Sequence, residues 1–289
     1  MKKIFLNRIS MICAICLAVC IVSGFASADV NNVYIGRSSD YETVPLYING
    51  IKMSDGFKVE DTTYITLREF FNVLDEQTDI AWDNETGTVN VTGDKLDLTA
   101  TVGDRYMTVN GRCFYIPYGV LNIDGSVALP VRELAKIYQF DVSWDEAESS
   151  VCLSADNPSV IEDASSYYNE QDLYWLSRLI NAEAGNQPLE GKIGVGNVVV
   201  NRVADPTCPD TVFGVIFDSK YGVQFSVTQT GGIYQEPNEE SVIAAKICLE
   251  GYDIVGGSIY FVNPTVGATS WFTNTRVYMT TIGDHDFYA

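Results

Sequence analysis

"LSRLINAEAGNQPLEGKIGVGNVVVNRV", residues 176–203, decides the fold of the second half of this 289-residue chain. Leu173, Leu176, Ile180 and Glu183 recur at helical spacing, so they share one face. Gly185 predicts the end of that helix in the usual C-terminal manner, and Pro188 opens a second one. Gly191, Gly194 and Gly196 are poor helix formers. Their place inside the second helix predicts close approach of another backbone. Glu183 therefore ends an apolar stripe. The apolar setting and the negative end of the helix dipole both disfavour its charged form. A carboxylic acid that stays protonated near neutral pH is a suitable general acid. The bland alternative is a glutamate satisfied by solvent, nearby backbone or a cation, and the pattern alone does not decide between them. "GKIGVG" is not a phosphate loop: it lacks the Gly-Lys-Ser/Thr ending and sits in an acidic chain.

Downstream, "YGVQFSVTQTGGIY" (221–234) reads as a polar, aromatic, glycine-rich loop, and "EESVIAAKICLEGY" (239–252) as a helix. "GGSIYFVNP" (256–264) reads as a strand into a turn. "YMTTIGDHDFYA" (278–289) reads as a strand and a tail carrying His285, the sole histidine of the chain.

Upstream lies an internal repeat. "YINGIKM" (47–53) answers to "MTVNGRCF" (107–114), "YITLREFFNVL" (64–74) to "ALPVRELAKIY" (128–138), and "DIAWDNETGTVNV" (79–91) to "DVSWDEAESSVCL" (141–153). The offset is about 62 residues throughout, so residues 44–155 hold a duplicated unit. Each copy predicts an Asn-Gly hairpin, a short amphipathic helix, a strand bearing Trp82 or Trp144, a turn and a last strand. The copies are expected to pack as one small β-rich domain. Trp82 and Trp144 are expected in its core, and Arg68, Glu69, Arg132 and Glu133 as scaffold charges. "SADNPSVIEDASSYYNEQ" (154–171) is polar and reads as a linker with a helical start near its end.

Residues 1–28 read as a removable secretory signal: Lys2, Lys3 and Arg8, then the apolar "ISMICAICLAVCIVSGF", then "ASA" before Asp29. An uncleaved anchor and a lipoprotein site at Cys20 are the alternatives. Cleavage removes three basic residues and moves the net charge from −20 to −23. Such a surface repels nucleic acid and anionic membrane, so a bound polymer is held by shape, hydrogen bonds and aromatic stacking. Cys13, Cys16 and Cys20 leave with the signal. Cys113, Cys152, Cys208 and Cys248 remain, one pair per half. Cys113–Cys152 and Cys208–Cys248 are the expected disulfides, with four buried free thiols as the alternative.

Two resemblances follow from these motifs. The duplicated unit resembles the stalk domain named for the N-terminal region of copper amine oxidases. That implies a fold and an extracellular accessory role, with a wall or protein partner for the stalk. It implies no copper, since this half has no imidazole to offer a copper ion. The second half resembles the SleB-type cell-wall hydrolases, the spore cortex-lytic enzymes and their relatives, in "LSRLINAEAGNQPLEGKIGVGNVVVNRV", "VFGVIF", "YGVQFS", "SIYFVNP" and "TTIGDHDFYA", in that order. A departure is Val227 where relatives continue "QFSP".

The expected fold class is α+β: a β-rich duplicated stalk domain followed by a lysozyme-like catalytic domain. The expected organisation is signal 1–28, linker 29–43, stalk 44–155, linker 156–170 and catalytic domain 171–289. The resemblance implies peptidoglycan glycan strands as substrate, Glu183 as the catalytic acid, and no cofactor or metal. It implies Gln224, Phe225, Ser226, Tyr260, Asn263 and His285 as a groove lining. Phe225 and Tyr260 have core aromatics as their alternative, and His285 a hydrogen bond within the C-terminal strand. With one carboxylate on a matching motif, a lytic transglycosylase is expected, and a muramidase is the near variant. The rivals are a wall peptidase or amidase using Cys208 or Cys248 with His285, and a non-catalytic wall-binding protein. The expected location is outside the cell, in the wall or spore envelope.

Overall fold

The structure, a computed structural model, describes residues 34–74, 77–220, 222–265 and 274–289. The secretory signal at 1–28, with Cys13, Cys16 and Cys20, lies outside the described residues. From residue 34 the expected linker is already ordered: Ile35–Gly36 and Glu42–Val44 are strands.

The repeat folds as a pseudo-symmetric pair. Asn49-Gly50 and Asn110-Gly111 all have positive φ (48°, 78°, 51° and 75°), the left-handed pair that closes a tight hairpin. Helix α1 (Leu67–Leu74) and helix α2 (Val131–Ile137) occupy matching places. Asp83 Oδ1 accepts from the Glu85 N–H at 2.8 Å, and Asp145 Oδ1 from the Ala147 N–H at 2.9 Å, so both Trp-Asp turns close alike. Strands Thr62–Thr66 and Ser126–Pro130 pair antiparallel at the centre of a six-stranded sheet. Ile65 lies opposite Leu129, its own counterpart in the other copy, so an approximate two-fold passes through that pair. Strand Ser150–Ser154 of the second copy returns to pair parallel with Leu46–Ile48 of the first. Tyr64, Ile65, Phe70, Phe71, Leu98, Met107, Ile123 and Leu129 form one shared core.

Trp82 and Trp144 are not in that core; they are 43% and 50% exposed. Their strands, Asp79–Asp83 and Asp141–Asp145, are the edges of their sheets. Ile80 and Val142 still pack on the core. Each tryptophan stands two residues further along the same face, past the rim.

The second half is helical: α3 (Ala164–Tyr167), α4 (Glu170–Ala184), α5 (Leu189–Ala204), α6 (Val212–Ile216), α7 (Val227–Thr230) and α8 (Glu239–Leu249). A three-stranded sheet follows, ordered Tyr260–Val262, His285–Tyr288, Tyr278–Ile282. The C-terminal stretch is thus a hairpin rather than a strand and a tail. α4, α5 and α8 pack on one another around Leu176, Leu179, Ile180, Ile193, Val199, Ala244 and Ile247. α5 needs its glycines. A Cβ on Gly194 would stand 2.7 Å from the Phe287 ring, and one on Gly196 would stand 2.6 Å from Cys248 Sγ. What approaches is side chain, not the backbone expected. Gly185 ends α4 without a left-handed turn (φ −58°). It is a glycine because a Cβ there would strike the Asn181 carbonyl oxygen.

The halves share a strand. Arg112–Tyr115 is buried at every residue. Alternation sends Phe114 into the front core, and Cys113 and Tyr115 into the helical one. Arg112 donates to both Glu250 oxygens, at 2.8 and 2.6 Å, and Tyr168 donates to the same carboxylate at 2.5 Å. Lys246 donates to the Gly111 carbonyl at 2.7 Å. The expected linker 156–170 is docked too: Ile161 lies in the front core and its N–H bonds the Ile137 carbonyl at 2.9 Å.

Both expected disulfides are absent; the four described cysteines are free thiols. Cys113 faces the helical core from the five-stranded sheet, whereas Cys152 sits in the four-stranded one. Cys248 is buried in α8 and donates to the Ile193 carbonyl at 3.3 Å, away from Cys208 in the turn after α5.

Candidate active site

α4 begins with an Asn169 side-chain cap on the N–H groups of Gln171 and Asp172. It ends at Ala184, one residue after Glu183. The Glu183 side chain is half-buried, and burial raises its pKa above 4.5. Among the described residues its carboxyl group has no hydrogen-bond or ion-pair partner. A carboxyl group without a cation that is pushed toward its neutral form can deliver a proton.

Four residues that the sequence did not single out hold the turn after Glu183. Asn181 Oδ1 accepts from the Asn238 N–H at 3.0 Å, and Asn238 Nδ2 donates to the Gly185 carbonyl at 3.2 Å. Lys192, 2% exposed, donates to the Gln187 carbonyl at 2.7 Å and pairs with Glu240. Gln187, itself buried, clasps the C-terminal hairpin: Nε2 donates to Asp284 Oδ2 at 2.9 Å, and Oε1 accepts from the Asp284 N–H at 3.0 Å. Only Asn238 carried a sequence signal, as an N-cap before an apolar helix. Gln187 and Lys192 look like ordinary surface residues until the fold brings their partners.

The remaining candidates divide. Gln224 and Tyr260 line one cavity of about 880 Å³ with Arg202 and Arg276. The Arg202 guanidinium, whose pKa burial lowers, reaches Gln224 Oε1 at 3.5 Å, and the Arg276 guanidinium lies 4.3 Å from the Tyr260 ring centre. Ser226 is exposed beside them in the chain and starts α7. Asn263 spends its side-chain oxygen on a turn, accepting from the Thr265 N–H at 3.0 Å and its hydroxyl at 2.6 Å. Phe225 and His285 do not line a groove. Phe225 is 3% exposed and stacks on Phe261 at 6.3 Å. His285 is 6% exposed, edge-on to Phe261 at 5.2 Å, and burial lowers its pKa. Its Nδ1 has no hydrogen-bond partner among the described residues. Both are core residues that carry their loops, because the apolar Phe261–Phe287 layer takes up their rings.

The loop after Phe225 runs back to α4. A Cβ on Gly232 would touch Ala182 Cβ at 3.8 Å, next to Glu183. It delivers Tyr234 to an aromatic group on α4 and α6: Trp175 contacts Tyr234 at 6.2 Å, Phe213 at 5.6 Å and Tyr174 at 5.0 Å. Tyr174, Phe213 and Tyr234 are exposed, so this group reaches solvent, with the Arg178 guanidinium over the Tyr174 ring at 3.8 Å and Phe217 against Phe213 at 4.6 Å.

Several other carboxylates of this half are engaged, whereas those of Asp172 and Asp210 have no partner among the described residues. Tyr115 donates to Glu190 at 2.9 Å. Asp205, Asp218 and Asp253 accept from backbone N–H groups in their own turns. Asp284 is held by Gln187, and Asp286 accepts from the Thr281 hydroxyl at 2.6 Å. No group of three or more His, Cys, Asp or Glu side chains suited to a metal ion occurs among the described residues.

Two family models match the chain: Cell Wall Hydrolase over residues 186–288, and Copper amine oxidase N-terminal domain over residues 47–153. The chain is 32% identical over 120 residues to the spore cortex-lytic enzyme of Oceanobacillus iheyensis, covering 42% of each. It is 33% identical over 120 residues to that of Halalkalibacterium halodurans, covering 42% of this chain and 35% of that protein. The solved catalytic domain of the Bacillus cereus SleB protein is 31% identical, with TM-score 0.39, covering 42% of this chain and 92% of that one. The chain thus spans less than half the length of the curated relatives it matches. Its second half is similar to a cell wall hydrolase domain and its first to a copper amine oxidase N-terminal domain. Glu183 stands just ahead of the residues that the hydrolase model matches.

Proposed function

We propose that this protein is a secreted peptidoglycan-degrading enzyme of the spore envelope or wall, and a lytic transglycosylase with Glu183 as its one catalytic carboxyl group. Glu183 protonates the oxygen between N-acetylmuramic acid and N-acetylglucosamine as the bond from that oxygen to the muramic anomeric carbon breaks. The resulting carboxylate takes the proton of the muramic 6-hydroxyl. That oxygen closes on the anomeric carbon and leaves a 1,6-anhydro end. No water is consumed, and the acid is regenerated.

The observation that carries this reading is the partnerless, half-buried Glu183, whose pKa burial raises. The hydrogen bonds that occupy Glu190, Asp205, Asp218, Asp253, Asp284 and Asp286 favour a single-acid route over a paired one. The exposed rings of Tyr174, Phe213 and Tyr234 suit a sugar polymer that an acidic protein grips without cations. The cysteine rival loses support: Cys248 is buried with its thiol pKa pushed far up, and His285 meets phenylalanine rings rather than a thiol.

The test is digestion of purified peptidoglycan with the full chain beside Glu183→Gln, with sugar ends identified by mass spectrometry. Anhydro ends that vanish in the variant are expected. Reducing muramic ends would replace the transglycosylase by a muramidase, and peptide fragments would overturn the glycosidic reading.

A further inference from the structure

We propose that the cleft beside Trp144 in the front half is a saccharide-binding site, and that its repeat-related twin beside Trp82 is not. The Trp144 cleft has a volume of about 610 Å³ and lies between the two copies. The first copy contributes Thr63 and Asp61; the second contributes Arg132, Trp144 and Glu148. The twin, about 510 Å³, has Trp82 in the place of Trp144 and Thr86 in the place of Glu148.

Three differences separate them. Trp82 Nε1 donates to Asn84 Oδ1 at 2.7 Å. The matching residue in the second copy is Glu146, and the Trp144 indole N–H has no partner among the described residues. Second, the Tyr34 ring forms part of the wall of the Trp82 cleft, whereas no aromatic ring but Trp144 lines the other. Third, Arg132 lines the Trp144 cleft and has no ion-pair or hydrogen-bond partner among the described residues, whereas its counterpart Arg68 does not line the twin.

An exposed indole face beside unspent donors and acceptors matches a sugar. The apolar C–H face of a pyranose covers the ring. Its hydroxyl and acetamido groups meet the Trp144 N–H, Arg132, Glu148 and the second oxygen of Asp61, whose Oδ1 is held by the Tyr118 and Thr62 hydroxyls. A polyanion is disfavoured by a chain of net charge −20. The occupant is an N-acetylated wall glycan strand, an identity that rests on the peptidoglycan reading of the second half. Thr43 and Thr63 supply further hydroxyls along the same cleft.

The experiment uses the full chain carrying Glu183→Gln, which removes turnover. Co-sedimentation with purified peptidoglycan and calorimetric titration with an N-acetylglucosamine tetramer read binding. Trp144→Ala is expected to weaken wall binding about ten-fold, the usual loss for an aromatic anchor. Trp82→Ala is expected to stay within about two-fold of the parent, as an exposed ring that meets no ligand. Trp144→Phe keeps a ring without the N–H, guards against misfolding, and falls between. Equal binding by Trp144→Ala and its parent, or an equal loss in Trp82→Ala, overturns the site. A chain that releases no wall sugar yet binds wall through Trp144 sinks the enzymatic reading and leaves this site standing.

Discussion

Gln187 is the side chain through which the turn after Glu183 is fixed to the C-terminal hairpin, so its removal tests the geometry of the site. Gln187→Ala deletes the two hydrogen bonds that reach the C-terminal hairpin, a charge-assisted one to Asp284 Oδ2 at 2.9 Å and a neutral one from the Asp284 N–H at 3.0 Å, together with a long one to Asn186 Oδ1 at 3.4 Å. At 7% exposure, little water can replace them. A charged partner contributes about 1.5–3 kcal/mol and a neutral one about 0.5–1.5, so the loss is about 2–4.5 kcal/mol. Lys192 still holds the Gln187 backbone carbonyl, so the chain is expected to fold. Denaturant midpoints measure the stability, and release of soluble wall sugar measures turnover. Turnover is expected to fall well beyond the stability loss, because displacing an acid by about an ångström costs about 10²-fold. Gln187→Glu is the sharper variant. It cannot donate when ionised, and it sets a second carboxylate against Asp284. It is expected to be worse than alanine at neutral pH and to recover as acid protonates one of the pair. A Gln187→Ala chain that loses less than about 1 kcal/mol, below one ordinary buried hydrogen bond, and keeps its turnover refutes the clasp.

The pKa of Glu183 is raised in the folded chain, so the native state holds that proton more tightly than the unfolded one. Its contribution is fully present below 4.5 and lost as pH rises toward the folded value. Denaturation from pH 4 to 8 is expected to show Glu183→Gln gaining stability on its parent across that window while losing about 10²–10⁴ in rate. Glu250→Ala strands Arg112, whose side chain is 10% exposed, and is expected to cost about 3–5 kcal/mol by denaturant unfolding. Arg112→Met combined with Glu250→Leu is expected to recover most of it. Gly196→Ala presses a methyl group onto Cys248 Sγ and Ile180 and is expected to cost about 1–3 kcal/mol in the same assay. Adding Cys248→Ala should return part of that.

Local chemistry was legible in the sequence. The Asn-Gly turns close as their residues demand. The apolar stripe of α4 is buried, and Glu183 ends it because a helix projects every third or fourth residue alike. Contacts made far along the chain were not legible. Gln187 gives no sign of Asp284, 97 residues away. Trp82 and Trp144 look like core residues in a repeat, and only the overhang of an edge strand exposes them. Phe225 and His285 lie in matching motifs, yet the Phe261–Phe287 layer takes both rings inward. The cysteines fall one pair per half, which spacing cannot convert into proximity. Composition marked residues 156–170 as a linker, but Ile161 and Tyr168 anchor that stretch to either half.

The docked linker and the shared strand bear on how the two halves work. A flexible tether would let the front half hold wall anywhere within reach, raising local substrate concentration without choosing a direction. Here Arg112–Tyr115 puts alternate side chains into both cores, and Glu250 gathers Arg112 and Tyr168 into the joint. Separating the halves strands the Arg112 charge and bares Tyr115, so the joint opens only at a cost of several kcal/mol. The Trp144 cleft and Glu183 are therefore held at one spacing and one angle. A strand that reaches both gains from each contact without the entropy of ordering a tether, whereas a fragment too short to reach gains from one alone. On the proposed function, this rigidity would make the second site a measure of glycan length, favouring intact wall over short fragments.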